Sequence, residues 1–172
     1  MIDTATQPAV LQDFPDLESR TQPEDHQDLR LWLRLLSSSN LIENEIRSRL
    51  RTEYGTTLPR FDMMAQLHRM PDGMKMSKLS RYMMVTNGNI TGITDQLEKE
   101  GLVERVKVAS DRRSSLIRLT PIGKKTFAEM AKVHEQWIQE LFSGLPEQKR
   151  HTLFELLGEL KLATHMHLSS HA

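Results

Sequence analysis

The stretch from Thr86 to Gly123 leaves this chain few choices of fold. It opens Thr86-Asn87-Gly88-Asn89-Ile90-Thr91-Gly92-Ile93-Thr94-Asp95-Gln96-Leu97-Glu98-Lys99-Glu100-Gly101-Leu102-Val103. Ile90, Ile93 and Leu97 recur three or four apart, the buried stripe of a single helix. Thr86 is placed to cap it, because its hydroxyl can accept an orphan backbone N–H. Gly101 is placed to stop it, since glycine takes the left-handed cap conformation without steric cost. The outward residues near the start are short: Asn87, Gly88, Asn89, Thr91 and Gly92. Two glycines in one helix cost roughly 1 kcal/mol each relative to alanine. A merely solvated face would gain from Ala, Lys or Glu, so close approach to another surface explains the pair better. A major groove is one such surface, because Asn and Thr hydrogen-bond base edges and phosphates.

The second half reads as a hairpin. Leu102 to Lys107 runs up and Ser115 to Leu119 runs down, with Ile117 and Leu119 on one face at period two. The tip, Ala109 to Ser114, carries Asp111-Arg112-Arg113. Adjacent guanidiniums on a projecting turn are costly to pack and easy to aim at an anion, and Asp111 can pair with Arg113 and hold its rotamer. Arg112 and Arg113 suit a minor groove or a phosphate; the plain alternative is a hairpin tip kept soluble by charge. Helix, glycine and basic hairpin outline a winged helix-turn-helix. The expected fold is mainly α with a small β wing.

Here the chain resembles a known family, the MarR transcriptional regulators. The resemblance rests on Asn89-Ile90-Thr91-Gly92, Leu97-Glu98, Gly101-Leu102-Val103, Asp111-Arg112-Arg113 and Thr120-Pro121-Ile122-Gly123 at the family's spacing. More loosely it covers Leu29 to Leu168, leaving residues 1–24 outside. It implies an obligate homodimer, operator DNA held by the fourth helix and the wing, and often a small-molecule inducer. Gly92 departs from many relatives, which carry a longer side chain there; a contact made by that side chain is not carried over. The strings Thr56-Thr57-Leu58-Pro59-Arg60-Phe61-Asp62-Met63-Met64 and Met84-Val85-Thr86-Asn87-Gly88-Asn89 look like the branch that controls breakdown of aromatic acids. That branch includes hydroxycinnamate regulators that sense an acyl-coenzyme A thioester.

Net charge is zero, which at first argues against a nucleic-acid partner. Its distribution reverses the impression. Residues 73–125 hold eleven Lys and Arg against five acids, whereas residues 1–28 hold one Arg against seven. The basic excess sits on the segment read as a DNA reader. There is no cysteine, hence no disulfide framework and no thiolate metal site. No basic-then-apolar leader opens the chain and no apolar run reaches the length of a membrane span, so a cytoplasmic protein is expected.

Residues 1–24 read as an acidic, flexible arm with Pro8, Pro15 and Pro23. Asp25 to Glu53 reads as a long helix whose stripe (Leu29, Leu33, Leu36, then Ile42, Ile46, Leu50) shifts at Ser37-Ser38-Ser39-Asn40. Thr57 is expected to cap a second helix, with Pro59 in its first turn and Phe61, Met64, Ala65 and Leu67 inward. Met74-Lys75-Met76 fits a short strand added to the wing. Ser77 is expected to cap the third helix, with Leu79, Tyr82 and Met83 turned in and Ser77, Lys78 and Arg81 facing phosphate. Thr120-Pro121 opens a fifth helix to about Phe142, with Phe127, Met130, His134, Trp137, Ile138 and Leu141 on its apolar face. The last helix carries Leu153, Leu156, Leu157, Leu160 and Ala163. Two striped helices beyond a complete winged module need the first helix and a second copy for burial. Residues 25–56 and 120–168 are therefore read as a dimerisation region, 57–119 as the DNA-binding region and 169–172 as a tail.

Arg30 and Arg34 lie one helical turn apart, with Trp32 between them and Met63, Met64 and His68 in the second helix. The family's effectors sit between the first, second and fifth helices. An Arg there could pair with a carboxylate or phosphate and Met with Trp could receive an aromatic ring; surface arginines and a Met-rich core are the bland alternative. His165, His167 and His171 read as a frayed, partly helical carboxy terminus rather than a metal site. No cofactor and no catalytic constellation are expected. The expected partners are double-stranded operator DNA, a second copy and an aromatic acid or its coenzyme A thioester; a repressor is expected. The competing reading is a winged helix that binds only protein. The basic excess of residues 73–125 and the wing arginines speak against it, because protein interface cores are depleted of Lys.

Overall fold

A computed structural model of the chain describes residues 26–83, 87–108 and 111–171, and side chains there except those of residues 87, 108 and 111–114. In order the elements are α1 (Gln27–Tyr54), α2 (Leu58–His68), β1 (Met74–Lys75), α3 (Met76–Met83), α4 (Asn87–Lys99), β2 (Val103–Val108), β3 (Asp111–Leu119), α5 (Pro121–Phe142) and α6 (Glu147–Ser170). The acidic arm lies outside the described residues. The chain divides into two compact units between Arg49 and Leu50.

The first unit is the amino-terminal part of α1. Pairs four residues apart, Glu43 with Arg47 and Glu45 with Arg49, support its exposed surface. Leu29, Leu31, Trp32 and Leu41 stand exposed.

In the second unit the periodicities read from sequence become a core. Phe61, Met63, Met64 and Leu67 of α2, Leu79 of α3, and Ile90 and Leu97 of α4 are buried. From the sheet come Val103, Ile117 and Leu119, and from α5 Phe127, Met130 and Trp137. The sheet is antiparallel in the order β1-β3-β2, with Val103 opposite Leu119 and Met74 opposite Ile117. Period two therefore puts Val103, Leu119, Ile117 and Met74 on one inner face. An aromatic seam joins α2 to α5: the Phe61 ring lies 5.4 Å from Phe127 and 4.8 Å from His134, and His68 lies 5.0 Å from Phe127. Burial lowers the His134 pKa from its ordinary value.

The α4–β2 corner closes as the sequence requires. Gly101 has φ 72°, and the Leu102 N–H donates to the Leu97 carbonyl at 2.9 Å, a Schellman-type stop. The Thr120 hydroxyl accepts from the Gly123 N–H at 2.9 Å and donates to the Gly101 carbonyl at 2.7 Å. The Thr120 N–H donates to the Leu102 carbonyl at 3.1 Å. The start of α5 is thus bonded onto the residues that end α4. Gly123 is there because a Cβ would sit 1.9 Å from the Leu102 carbonyl oxygen.

Four expectations need correction. Thr57 occupies the N-cap of α2 in extended conformation but makes no side-chain cap bond. Ser77 is not a cap, because β1 runs directly into α3 and Met76 takes the first helical position. Tyr82 is 57 % exposed rather than turned in; α3 is short and Leu79 is its buried residue. The carboxy-terminal tail begins later than expected, since α6 continues to Ser170. The stripe of α6 exists, but α6 has no buried residue in the single chain.

Candidate nucleic-acid interface

α4 presents the short polar face expected of it. Gly88, Asn89, Thr91 and Gly92 are exposed, while Ile90 and Leu97 seat the opposite face in the core. Nothing lies within 4 Å of a Cβ built on Gly88 or Gly92. Packing against the described residues therefore does not demand these glycines. Asn87 begins α4, but its side chain and the whole of Thr86 lie outside the described residues.

Thr94 was not singled out from the sequence, yet it is fully buried behind this face. Its hydroxyl donates to the Ile90 carbonyl at 2.8 Å, which spares a buried O–H the cost of going unpaired. Met63 Sδ and Met76 Sδ lie 3.7 Å and 3.5 Å from the same oxygen. α2, α3 and α4 meet at this one atom.

α3 and β1 form a basic cleft. Lys75, Ser77, Lys78, Arg81 and Tyr82 line a 450 Å³ hollow. Ser77, Lys78 and Arg81 were expected to face phosphate, and the fold brings them together. Lys75 and Tyr82 are additions. Lys78 Nζ stands 5.6 Å from the Tyr82 ring centroid, which gives the ammonium a π face and keeps it near the cleft.

Arg105 is a further addition. It shares the inner face of β2 with Val103 and reaches α4, where its guanidinium bonds both Asp95 and Glu98. These bonds, that to Asp95 foremost, raise the Arg105 pKa above its ordinary value. The pairing joins wing to helix and neutralises two carboxylates that would otherwise repel a phosphate backbone. The signal was present in the sequence: Asp95 and Glu98 share a helix face, and period two turns Arg105 inward. On the outer face Arg118 Nε meets Glu104 at 2.7 Å across the strands. Asp111, Arg112 and Arg113 begin β3, beside a register shift between Lys107 and Val108; their side chains lie outside the described residues.

The residues considered for an effector are not all brought together. Arg30 and Arg34 line a 280 Å³ cleft with Gln27 and Leu31. Trp32 is absent from that lining, since two residues along a helix turn a side chain nearly to the opposite face. Met63 and Met64 are 0 % and 1 % exposed and belong to the core of the second unit. His68 is exposed and lies against Phe127. Among the described residues no three His, Cys, Asp or Glu are grouped to hold a metal, and no helix is long and apolar enough to cross a membrane.

The family model of the MarR family matches residues 56–115, the span from the start of α2 into the wing. Over 132 residues the chain is 30 % identical to the transcriptional activatory protein BadR of Rhodopseudomonas palustris, covering 74 % of this chain and 75 % of that protein. The chain belongs to the MarR family. A MarR family transcriptional regulator from Silicibacter pomeroyi superposes with a TM-score of 0.69 at 33 % identity, covering 84 % of this chain and 99 % of that one. Sco3205, a MarR family transcriptional regulator from Streptomyces coelicolor solved in complex with DNA, superposes with a TM-score of 0.69 at 20 % identity, covering 81 % and 90 %. At that identity the likeness concerns the fold. The winged helix-turn-helix is thus that of a DNA-binding transcriptional regulator and not of an enzyme.

Proposed function

We propose that this MarR family member binds a pseudo-palindromic DNA site as a homodimer, acts as a repressor, and releases the site when an aromatic effector binds. The observation that carries the DNA reading is the juxtaposition on α3 and α4. A face of Gly88, Asn89, Thr91 and Gly92, open to close approach, lies on the helix that follows the cleft of Lys75, Ser77, Lys78, Arg81 and Tyr82. The first suits base edges and the second suits phosphates. The basic wing, with Arg112 and Arg113, would supply a further backbone or minor-groove contact.

The dimer follows from uncovered apolar surface. Leu153, Phe154, Leu156, Leu157, Leu160, Leu162, Met166 and Leu168 are exposed on α6, as are Leu29, Leu31, Trp32 and Leu41 on α1. On each helix, large apolar side chains left uncovered in this number point to a protein interface. A second copy supplies it with the two-fold symmetry that a palindromic site mirrors.

The effector class rests on the resemblance of Thr56–Met64 and Met84–Asn89 to regulators of aromatic acid breakdown, and the cleft of Arg30 and Arg34 supports a place for its charge. A coenzyme A thioester would bring phosphates to these guanidiniums, and the free acid would lack them. A duplex selected from random-sequence DNA by the protein itself gives the test. Arg113→Ala and Arg81→Ala should each weaken binding and shallow its salt dependence by about one phosphate contact. Sedimentation should give a dimer at micromolar concentration. Unchanged affinity and salt slope in both variants would remove the wing and α3 from the mechanism, and a monomer would remove the two-fold site.

A further inference from the structure

Seven of the ten methionines lie between residues 63 and 84, and the chain has no cysteine. Thiols, the usual first target of mild oxidants, are therefore missing, and thioethers crowd the DNA-binding lobe. Their settings differ. Met63, Met64 and Met74 are buried, at 0 %, 1 % and 3 % exposed. Met76 opens α3 and is only half-buried. Its sulfur nonetheless reaches 3.5 Å from Thr94 Oγ1 in the buried joint under α4. Met76 thus has one side toward solvent and its reactive atom against the helix that presents Gly88 to Gly92.

We propose that Met76 is an oxidation site whose sulfoxide displaces α4 and lowers DNA affinity. The reaction needs a two-electron oxidant, of which a hydroperoxide is the class considered. The Met76 sulfur gives an electron pair to the outer peroxide oxygen. An S–O bond forms, the O–O bond breaks, and with hydrogen peroxide the displaced hydroxide takes the remaining proton and leaves as water. Sulfur is oxidised by two electrons and peroxide reduced by two.

The product does not fit the joint. A thioether is a weak acceptor that packs beside a hydroxyl whose proton is already committed. The Thr94 proton is committed to the Ile90 carbonyl at 2.8 Å. A sulfoxide oxygen is a strong acceptor set against the lone pairs of Thr94 Oγ1. Either it takes the Thr94 proton and leaves the Ile90 carbonyl with one bond fewer, or Met76 swings to solvent and leaves a gap beside Thr94. Both break the packing that seats α4, and close-packed joints respond by shifting rather than by deforming smoothly. Methionine sulfoxide is enzymatically reducible, so the change is reversible.

The consequence for DNA rests on the reading of α4 given above, and the experiment separates the two. The full-length protein is treated with hydrogen peroxide over time, and each methionine is followed by peptide mass spectrometry. Affinity for the selected duplex and hydrogen exchange of the α4 amides are followed in parallel. The expected result is oxidation of Met76 ahead of Met63, Met64 and Met74, with faster exchange in α4 in proportion. DNA affinity falls about tenfold or more, and methionine sulfoxide reductases restore both readouts. Met76→Leu keeps the volume and lacks the sulfur, so it binds DNA and resists peroxide. Oxidised Met76 with unchanged α4 exchange would overturn the proposal, as would a Met76→Leu protein that loses affinity as the parent does. If Met70 and Met166, 37 % and 63 % exposed, are fully oxidised while Met76 is not, the proposal also fails. Failure of the unoxidised protein to select any duplex would count against the DNA reading alone, because exchange in α4 is measured without DNA.

Discussion

Replacing Gly123 with alanine tests the joint between reader and α5 most directly. The added Cβ would lie 1.9 Å from the Leu102 carbonyl oxygen and 2.8 Å from its carbon, where real Cβ contacts stop near 3.0 Å. The Leu102 carbonyl must therefore retreat, or α5 must. That oxygen accepts from the Thr120 N–H at 3.1 Å, and the Thr120 hydroxyl is bonded to both Gly101 and Gly123. Retreat loosens up to three hydrogen bonds, each worth roughly 1 kcal/mol net. Overpacking adds about 1–3 kcal/mol, and the better helix propensity of alanine returns about 1 kcal/mol. The expected loss is about 3 kcal/mol, a fall in Tm on the order of 6–12 °C for a chain of this size. Gly92→Ala is the matched control. It lies in α4 with nothing within 4 Å of its Cβ, so it should stabilise by roughly 0.5–1 kcal/mol while weakening DNA binding. Thermal and urea unfolding of both variants at equal protein concentration checks the signs. A Gly123→Ala protein as stable as the parent would refute the role given to the Thr120–Gly123 turn.

Arg105→Ala removes the partner of Asp95 and Glu98. These groups are partly exposed, so stability should fall by only about 0.5–1 kcal/mol, while DNA affinity should fall more as two carboxylates are uncovered; binding titrations at two salt concentrations check this. His134 supplies a pH prediction. Its folded pKa lies below the unfolded value because burial disfavours the cation. The unfolded state therefore takes up protons first as pH falls below the ordinary histidine value, and stability drops from there down to the folded pKa. Urea unfolding should show this loss, and His134→Phe should remove part of it. For the effector, calorimetric titration with p-coumaroyl, feruloyl or benzoyl thioesters, the free acids and free coenzyme A should show tightest binding by a thioester. Arg30→Ala and Arg34→Ala should weaken it, and no binding by any of them would dismiss the ligand class.

The parts of this protein legible in its sequence are those fixed within one or two turns of chain. Ile90 and Leu97 declare their helix by spacing, Gly101 by the left-handed stop it alone takes cheaply, and Thr120-Pro121-Ile122-Gly123 by its cap. Ile117 and Leu119 declare the wing by alternation. Thr57 holds the cap position of α2 without the side-chain bond, and the cap expected at Ser77 failed, because a cap depends on how the preceding segment enters the helix; β1 runs straight into α3 and leaves Ser77 inside its first turn. The packing that organises the site joins residues distant in sequence. Thr94 meets Met63 and Met76 from two other helices, Arg105 crosses from a strand to Asp95 and Glu98, and Lys75 joins Tyr82 at one cleft. Periodicity says which face a residue occupies, but not which face of another element it meets. That choice is made by strand register and helix docking, where shape and the pairing of buried polar groups select one arrangement among many that satisfy the same pattern.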